Sequence, residues 1–325
     1  MFPKKLQVGD EVRVISPSTS LAVVALDQRE ISIKRLESLG LNVTFSKNAE
    51  ELDVFDSSSI ESRIDDLHEA FADLNVKAIL TTLGGYNSNQ LLSSIDYQLI
   101  KKNPKILCGY SDITALSAAI YAKTGLVSYS GPHFSTFGML KGFDYTFEYF
   151  KKCLFEDQAY KIESSKQWSD DHWYLDQNER VFEENKGLTV IYEGSAEGRL
   201  LGGNLCTLNL LQGTPYMPDL HESILFLEDD FDSSAVAFDR DLQSLLHLPQ
   251  FRGVKGLVIG RFQRASNITE DQLRLIIHTK QELHSIPVVY NASFGHTSPI
   301  FTFPIGGLVQ LHAKVNQSSI IIKEH

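Results

Sequence analysis

The chain has 325 residues, 42 % hydrophobic and 22 % charged, and a formal net charge of −11. Its length exceeds what one ordinary core supports, so two domains are expected, with a single large barrel as the alternative. The negative charge excludes non-specific binding to a nucleic acid polymer or an anionic membrane surface, which both need a cationic face, but leaves room for one small anionic ligand held by local donors.

The first residues, "MFPKKLQVGDEVRVISPS", contain two lysines but no apolar stretch of signal-peptide length, and no later window approaches a membrane-spanning run. Cytoplasmic residence and no membrane partner are therefore expected. From here to about residue 160 strand-like and helical patterns alternate. "EVRVISPS" (11–18) reads as a strand, "LDQREISIKRLESLG" (26–40) as a helix with a glycine stop, and "LNVTFS" (41–46) as a strand. A charged helix follows around 60–74, then the buried strand "VKAILTTLGG" (76–85), a short helix, the strand "PKILCG" and a helix over 112–123. Such alternation predicts a mostly parallel sheet covered by helices, which binds ligands outside the carboxyl ends of its strands.

Residues 163–187, "ESSKQWSDDHWYLDQNERVFEENKG", are polar, acidic and home to both tryptophans, Trp168 and Trp173; they read as a long connection between domains. Strand and turn patterns then dominate 188–325, with one helix at about 269–284. The predicted division is thus an α/β domain over 1–162, a connecting loop over 163–187 and a smaller β-rich domain over 188–325. Cys108, Cys153 and Cys206 are widely spaced without a CxxC pair, and are expected as buried small apolar residues rather than disulfide or metal ligands.

Ser111 stands where "KILCGYSD" passes from strand to helix. Two roles fit: a helix cap, since Ser and Asp accept hydrogen bonds from the free N–H groups of a first turn, or a nucleophile on a tight turn at the positive end of a helix. A nucleophile needs a base and a group to orient that base. His296, in "NASFGHTSP" after the strand "IPVVY", occupies a structured turn able to hold an imidazole in one orientation; bonding to nearby backbone is its bland role. Glu228 in "SILFLEDDFDSS" ends a buried strand, with Asp229 and Asp230 as substitutes and a solvated acidic turn as the alternative. An oxyanion hole could draw its N–H groups from the Gly84-Gly85 pair and from Asp112. The chain lacks the GxSxG elbow of ordinary α/β-hydrolases, and also lacks GxGxxG, GxxxxGK[ST] and HExxH.

Six motifs, "LGGYNSNQLL", "GYSDITAL", "GPHF", "EGRLLGGNL", "LFLEDD" and "FGHTSP", together resemble the LD-carboxypeptidase family of serine peptidases, in order and over nearly the whole chain. The resemblance implies a Rossmann-like N-terminal domain, a small barrel-like C-terminal domain, no cofactor or metal, a homodimer, and a triad of Ser111, Glu228 and His296 with Gly85 and Asp112 as oxyanion donors. The connection "WSDDHWYLDQ" resembles the microcin C immunity branch. That branch cleaves the amide between an aminoacyl or peptidyl group and a modified adenylate, with a loop aromatic stacked on the base. Trp173 and Trp168 are both eligible for that contact, and Asn204 in "GGNL" for a substrate hydrogen bond. Two rivals are release of a terminal D-amino acid from an L,D-murein peptide, and a binding protein that kept the fold without the chemistry.

Overall fold

The structure, a computed structural model, describes residues 1–325. Its first half is built as the alternation dictates. Strands β1 (Glu11–Ile15), β2 (Asn42–Phe45), β3 (Val76–Thr81), β4 (Ile106–Cys108) and β5 (Ser128–Ser130) are separated by helices α1 (Leu26–Glu37), α2 (Ile60–Ala72), α3 (Tyr97–Lys102) and α4 (Thr114–Thr124), and α5 (Asp144–Phe155) follows. Side chains fix where helices start: Ser59 accepts from the Ser62 N–H ahead of α2, and Asp96 from Gln98 and Leu99 ahead of α3. Gly125, at φ 71°, supplies the left-handed residue that stops α4.

The remaining strands are β6 (Tyr160–Ile162), β7 (Gln167–Trp168), β8 (Glu183–Glu184), β9 (Thr189–Tyr192), β10 (Gly194–Asn204), β11 (Ser223–Glu228), β12 (Gly256–Gly260), β13 (Val288–Ala292), β14 (Phe303–Ile305), β15 (Leu308–Ala313) and β16 (Ser319–Glu324). They are joined by α6 (Leu205–Asn209), α7 (Ala235–Leu246) and α8 (Glu270–His278). The second half is therefore richer in helix than the sequence suggests. β10, β11, β12 and β13 pair in parallel, and each parallel step is bridged by one of these helices. A parallel pair needs a crossover, and helices on the faces bury the strands; every residue of β11 and β12 is buried.

The first sheet runs β14-β5-β4-β3-β1-β2 and the second β6-β16-β15-β10-β11-β12-β13-β9. Each borrows a strand from the other half of the chain: β14 pairs antiparallel with β5, and β6 with β16. A single hydrophobic core of 79 residues runs through both sheets, so the two halves pack as one body. The connection 163–187 is pinned to both halves. Gln28 Nε2 donates to the Tyr174 carbonyl at 2.8 Å and Gln177 Nε2 to that of Gly138 at 2.7 Å, while the Ser169 N–H donates to the Ser298 carbonyl at 2.7 Å. Of the three cysteines, Cys108 and Cys153 are buried, but Cys206 is exposed because it lies in the first turn of α6, on the solvent side.

Candidate active site

The chain leaves β4 through Gly109 and Tyr110 and turns at Ser111, whose φ is 59°. A left-handed serine is strained, and the surroundings hold it there. A Cβ on Gly109 would fall 2.2 Å from Thr81 Oγ1, and one on Gly84 would lie 2.9 Å from Ser111 Oγ, so glycine at both positions allows the turn after β3 to close over the serine. Ser111 then opens a short helical turn that continues into α4. Its side chain caps nothing: Ser111 Oγ lies 3.0 Å from His296 Nε2.

His296 comes from the turn after β13, and its Nδ1 lies 2.7 Å from Glu228 Oε2 at the end of β11. These two segments are locked together by aromatic packing. Phe226, two residues before Glu228, stacks on Phe294, two residues before His296, with ring centroids 5.6 Å apart. Glu228 is 3 % exposed and His296 17 % at the side chain, so the pair interacts where water screens little. Burial pulls the imidazole down, but Glu228, with Asp230 and Asp229 behind it, outweighs burial and the net shift is upward.

Beside Ser111, Gly85 at φ 145° continues the turn of Gly84, and a Cβ built on Gly84 would lie 3.7 Å from the Asp112 nitrogen. The backbone of this turn and the N–H of Asp112 thus border the same space. The Asp112 carboxylate faces away and holds the turn, accepting from Ser18 Oγ at 2.6 Å and from the N–H groups of Asn87 and Ser88 at 3.1 and 2.9 Å.

The tryptophans part company. Trp173 lines a cavity of about 230 Å³ together with Tyr110, Phe231 and His296. Trp168 is outside that lining and carries the guanidinium groups of Arg261 and Arg264 on its ring, 4.9 and 5.2 Å from the centroid. Asn204 is 1 % exposed. Its carboxamide oxygen caps α6 through the Thr207 N–H at 3.1 Å, and its Nδ2 donates to Asp229 Oδ1 at 3.3 Å.

Two residues that the sequence marks, in a motif or as an alternative acid, take other places in the structure. His133, in "GPHF", is buried with Nδ1 2.8 Å from Thr81 Oγ1, and stacks on Tyr110 at 4.3 Å, which in turn meets the His296 ring edge-on at 5.4 Å. Burial, with a smaller push from His296, pulls His133 down to about 3, so it backs the site as a neutral ring. Asp229 is fully buried; burial first, then Glu228 and Asp230, push its carboxyl up to about 7. No group of three or more His, Cys, Asp or Glu side chains stands close enough to hold a metal ion, and no helix is long and apolar enough to cross a membrane.

A serine, an imidazole and a carboxylate joined by two hydrogen bonds, set where two α/β sheets meet, have the arrangement that serine-type hydrolysis requires. Residues 12–131 match the LD-carboxypeptidase N-terminal domain and residues 197–311 the LD-carboxypeptidase C-terminal domain. YocD of Bacillus subtilis (strain 168), which bears a carboxypeptidase name, is 57 % identical over the full length of both chains. The MccF-like protein from Bacillus anthracis (strain Ames) is 56 % identical over the full length of both, with a TM-score of 0.99. The microcin C7 self-immunity protein MccF, solved with aspartyl sulfamoyl adenosine, is 31 % identical over 100 % of this chain and 99 % of its own, with a TM-score of 0.90. The chain belongs to the LD-carboxypeptidase family of serine peptidases.

Proposed function

We propose that the enzyme hydrolyses the amide joining an aminoacyl or peptidyl group to a modified adenylate, with Ser111 as nucleophile. Ser111 Oγ attacks the scissile carbonyl while His296 Nε2 takes its proton and Glu228 steadies the imidazolium. The N–H groups of Gly85 and Asp112 receive the oxyanion. As the tetrahedral intermediate collapses, His296 returns the proton to the leaving nitrogen; it then activates the water that frees the acyl group.

The observation that carries the choice of leaving group is Trp173 in the wall of the cavity holding His296, since an indole face stacks on a purine and the leaving group must sit beside the base that protonates it. The ligand of the related MccF, a sulfamoyl adenosine, points the same way. The reading includes a homodimer, which light scattering of the purified protein tests.

The deciding assay follows hydrolysis of an aminoacyl sulfamoyl adenosine and an L,D-tetrapeptide side by side by mass spectrometry, with Ser111→Ala as control. Cleavage of the adenylate is expected. Cleavage of the tetrapeptide alone would replace this reading with murein peptide trimming by the same three residues.

A further inference from the structure

Arg180 belongs to the connection 163–187, and its side chain is fully buried. Each of its three nitrogens reaches a different segment of the chain. Nε donates to Asp171 Oδ1 at 2.6 Å, Nη1 to the Lys141 carbonyl at 2.7 Å and Nη2 to Ser298 Oγ at 3.1 Å. The guanidinium also lies over the Phe182 ring, 4.9 Å from its centroid.

Two of these partners front the cavity at His296. Asp171 and Ser298 line it while Arg180 does not, so the guanidinium stands behind the wall. Asp171 is two positions before Trp173, and Ser298 is two positions after His296. One side chain thus ties the segment that carries the indole to the turn that carries the imidazole. Backbone bonds between Ser169 and Ser298, at 2.7 and 2.9 Å, join the same segments nearer the start of the connection.

The charges are satisfied within the wall itself. The Asp171 carboxylate accepts from Arg180 on one oxygen and from the Val181 N–H at 2.8 Å on the other, so neither group is left over to hold a ligand. A buried ion pair adds little net stability, because desolvation offsets its attraction. What the planar fork of donors adds is geometry, since it fixes several segments from one point.

We propose that Arg180 is a positioning residue: it sets the distance between a purine stacked on Trp173 and His296 Nε2, so that the leaving nitrogen meets its proton donor, an inference that rests on the adenylate reading above. Binding energy from a remote part of a substrate raises kcat only when it orients the reacting centre, and a wall that orients must itself be rigid. His296 has its own supports in Glu228 and the edge-on ring of Tyr110. A slack wall therefore displaces the base rather than the imidazole.

The test compares alanyl sulfamoyl adenosine with alanyl sulfamoyl ribose, which has the same scissile bond and no base, in the wild type, Arg180→Lys, Trp173→Ala and the double variant. Lysine keeps a cation for Asp171 but lacks the fork that reaches Lys141 and Ser298 as well. Arg180→Lys is expected to lower kcat about tenfold more for the adenosine compound than for the ribose compound, with KM for the former changed less than about threefold. In the Trp173→Ala background the same substitution should lower kcat for the adenosine compound less than about twofold, because the base has lost the wall it was set against. Ser298→Ala removes the bond to the His296 turn and leaves the Arg180–Asp171 pair intact; it should act in the same direction by about threefold, and it decides the matter if Arg180→Lys does not fold. Equal losses on the two substrates, or additive effects of Arg180→Lys and Trp173→Ala, would overturn the positioning role and leave the adenylate reading standing. Absence of adenosine-compound cleavage by the wild type would overturn the adenylate reading, and this inference with it.

Discussion

Gly295 lies against Glu228: a Cβ at residue 295 would fall 2.7 Å from Glu228 Oε2, the oxygen that His296 Nδ1 meets at 2.7 Å. At φ 101° the position also favours glycine for its backbone. Gly295→Ala is therefore expected to push the carboxylate off the imidazole. It should lower kcat more than it raises KM, and cost about 1–3 kcal/mol of stability, read by denaturant unfolding beside steady-state kinetics.

Removal of the Ser111 hydroxyl should abolish turnover, by a factor on the order of 10⁴ or more. The fold should not suffer, because the hydroxyl caps no helix and its one hydrogen bond is to His296. Ser111→Gly, equally inactive, is expected to be more stable than Ser111→Ala by about 0.5–1 kcal/mol, since only glycine relaxes that strain. Equal melting of the two variants would contradict a strained turn.

The upward shift of His296 has a definite sign in the pH profile. The base must be neutral to accept a proton, so kcat/KM should fall on acidification with an apparent pKa above the usual imidazole value of about 6.5. The stabilisation from the ion pair is present in full below that value and is lost as pH rises through the folded pKa. Glu228→Gln removes the attraction that offsets burial, so its residual activity should show the acid limb at lower pH than the wild type.

Asp229 acts in the same sense on stability. Its carboxyl, pushed up to about 7, keeps its proton in the folded chain over a range where the unfolded chain, near 3.9, has lost it. Stability therefore declines as pH rises between about 4 and 7. Asp229→Asn lacks that titration, and its melting temperature should gain on the wild type across this window and level off above it.

The two tryptophans should separate experimentally. Trp173→Ala removes a wall of the cavity at His296 and is expected to raise KM for a sulfamoyl adenosine roughly tenfold, the scale of one lost stacking contact. Trp168→Ala removes the ring under Arg261 and Arg264 and should lower stability with KM little changed. The opposite pattern would assign the nucleobase contact to Trp168.

The first half of the fold was legible because local pattern and local outcome agree: the apolar runs at 11–18 and 76–85 became β1 and β3, and Ser111 is at a strand-to-helix turn. The helices of the second half were harder to see. α6 is only five residues long, and α7 begins directly after the acidic run "EDDFDSS", which reads as a turn. Partners distant in sequence leave no local trace, so nothing in "FTFPIG" tells that β14 joins the first sheet. The same limit applies to the site. Motifs mark Ser111 and His296, but that 185 positions of chain fold to 3.0 Å between them is a property of the packed sheets. The motif "GPHF" marks His133 and the acidic run marks Asp229, but the neutral state of the first and the raised pKa of the second come from burial by residues of several elements, which no local pattern shows.

The strand exchange has a consequence during synthesis on the ribosome. Until Phe303–Ile305 has emerged, β5 has no partner on its outer side, and until His296 emerges Ser111 lacks the imidazole that stands 3.0 Å from its hydroxyl. On the proposed mechanism a growing chain thus carries its nucleophile unarmed while the 185 positions to His296 are added. Potential activity arrives in one late step, together with the stitch that closes the sheet, so unfinished chains should contribute no stray hydrolysis.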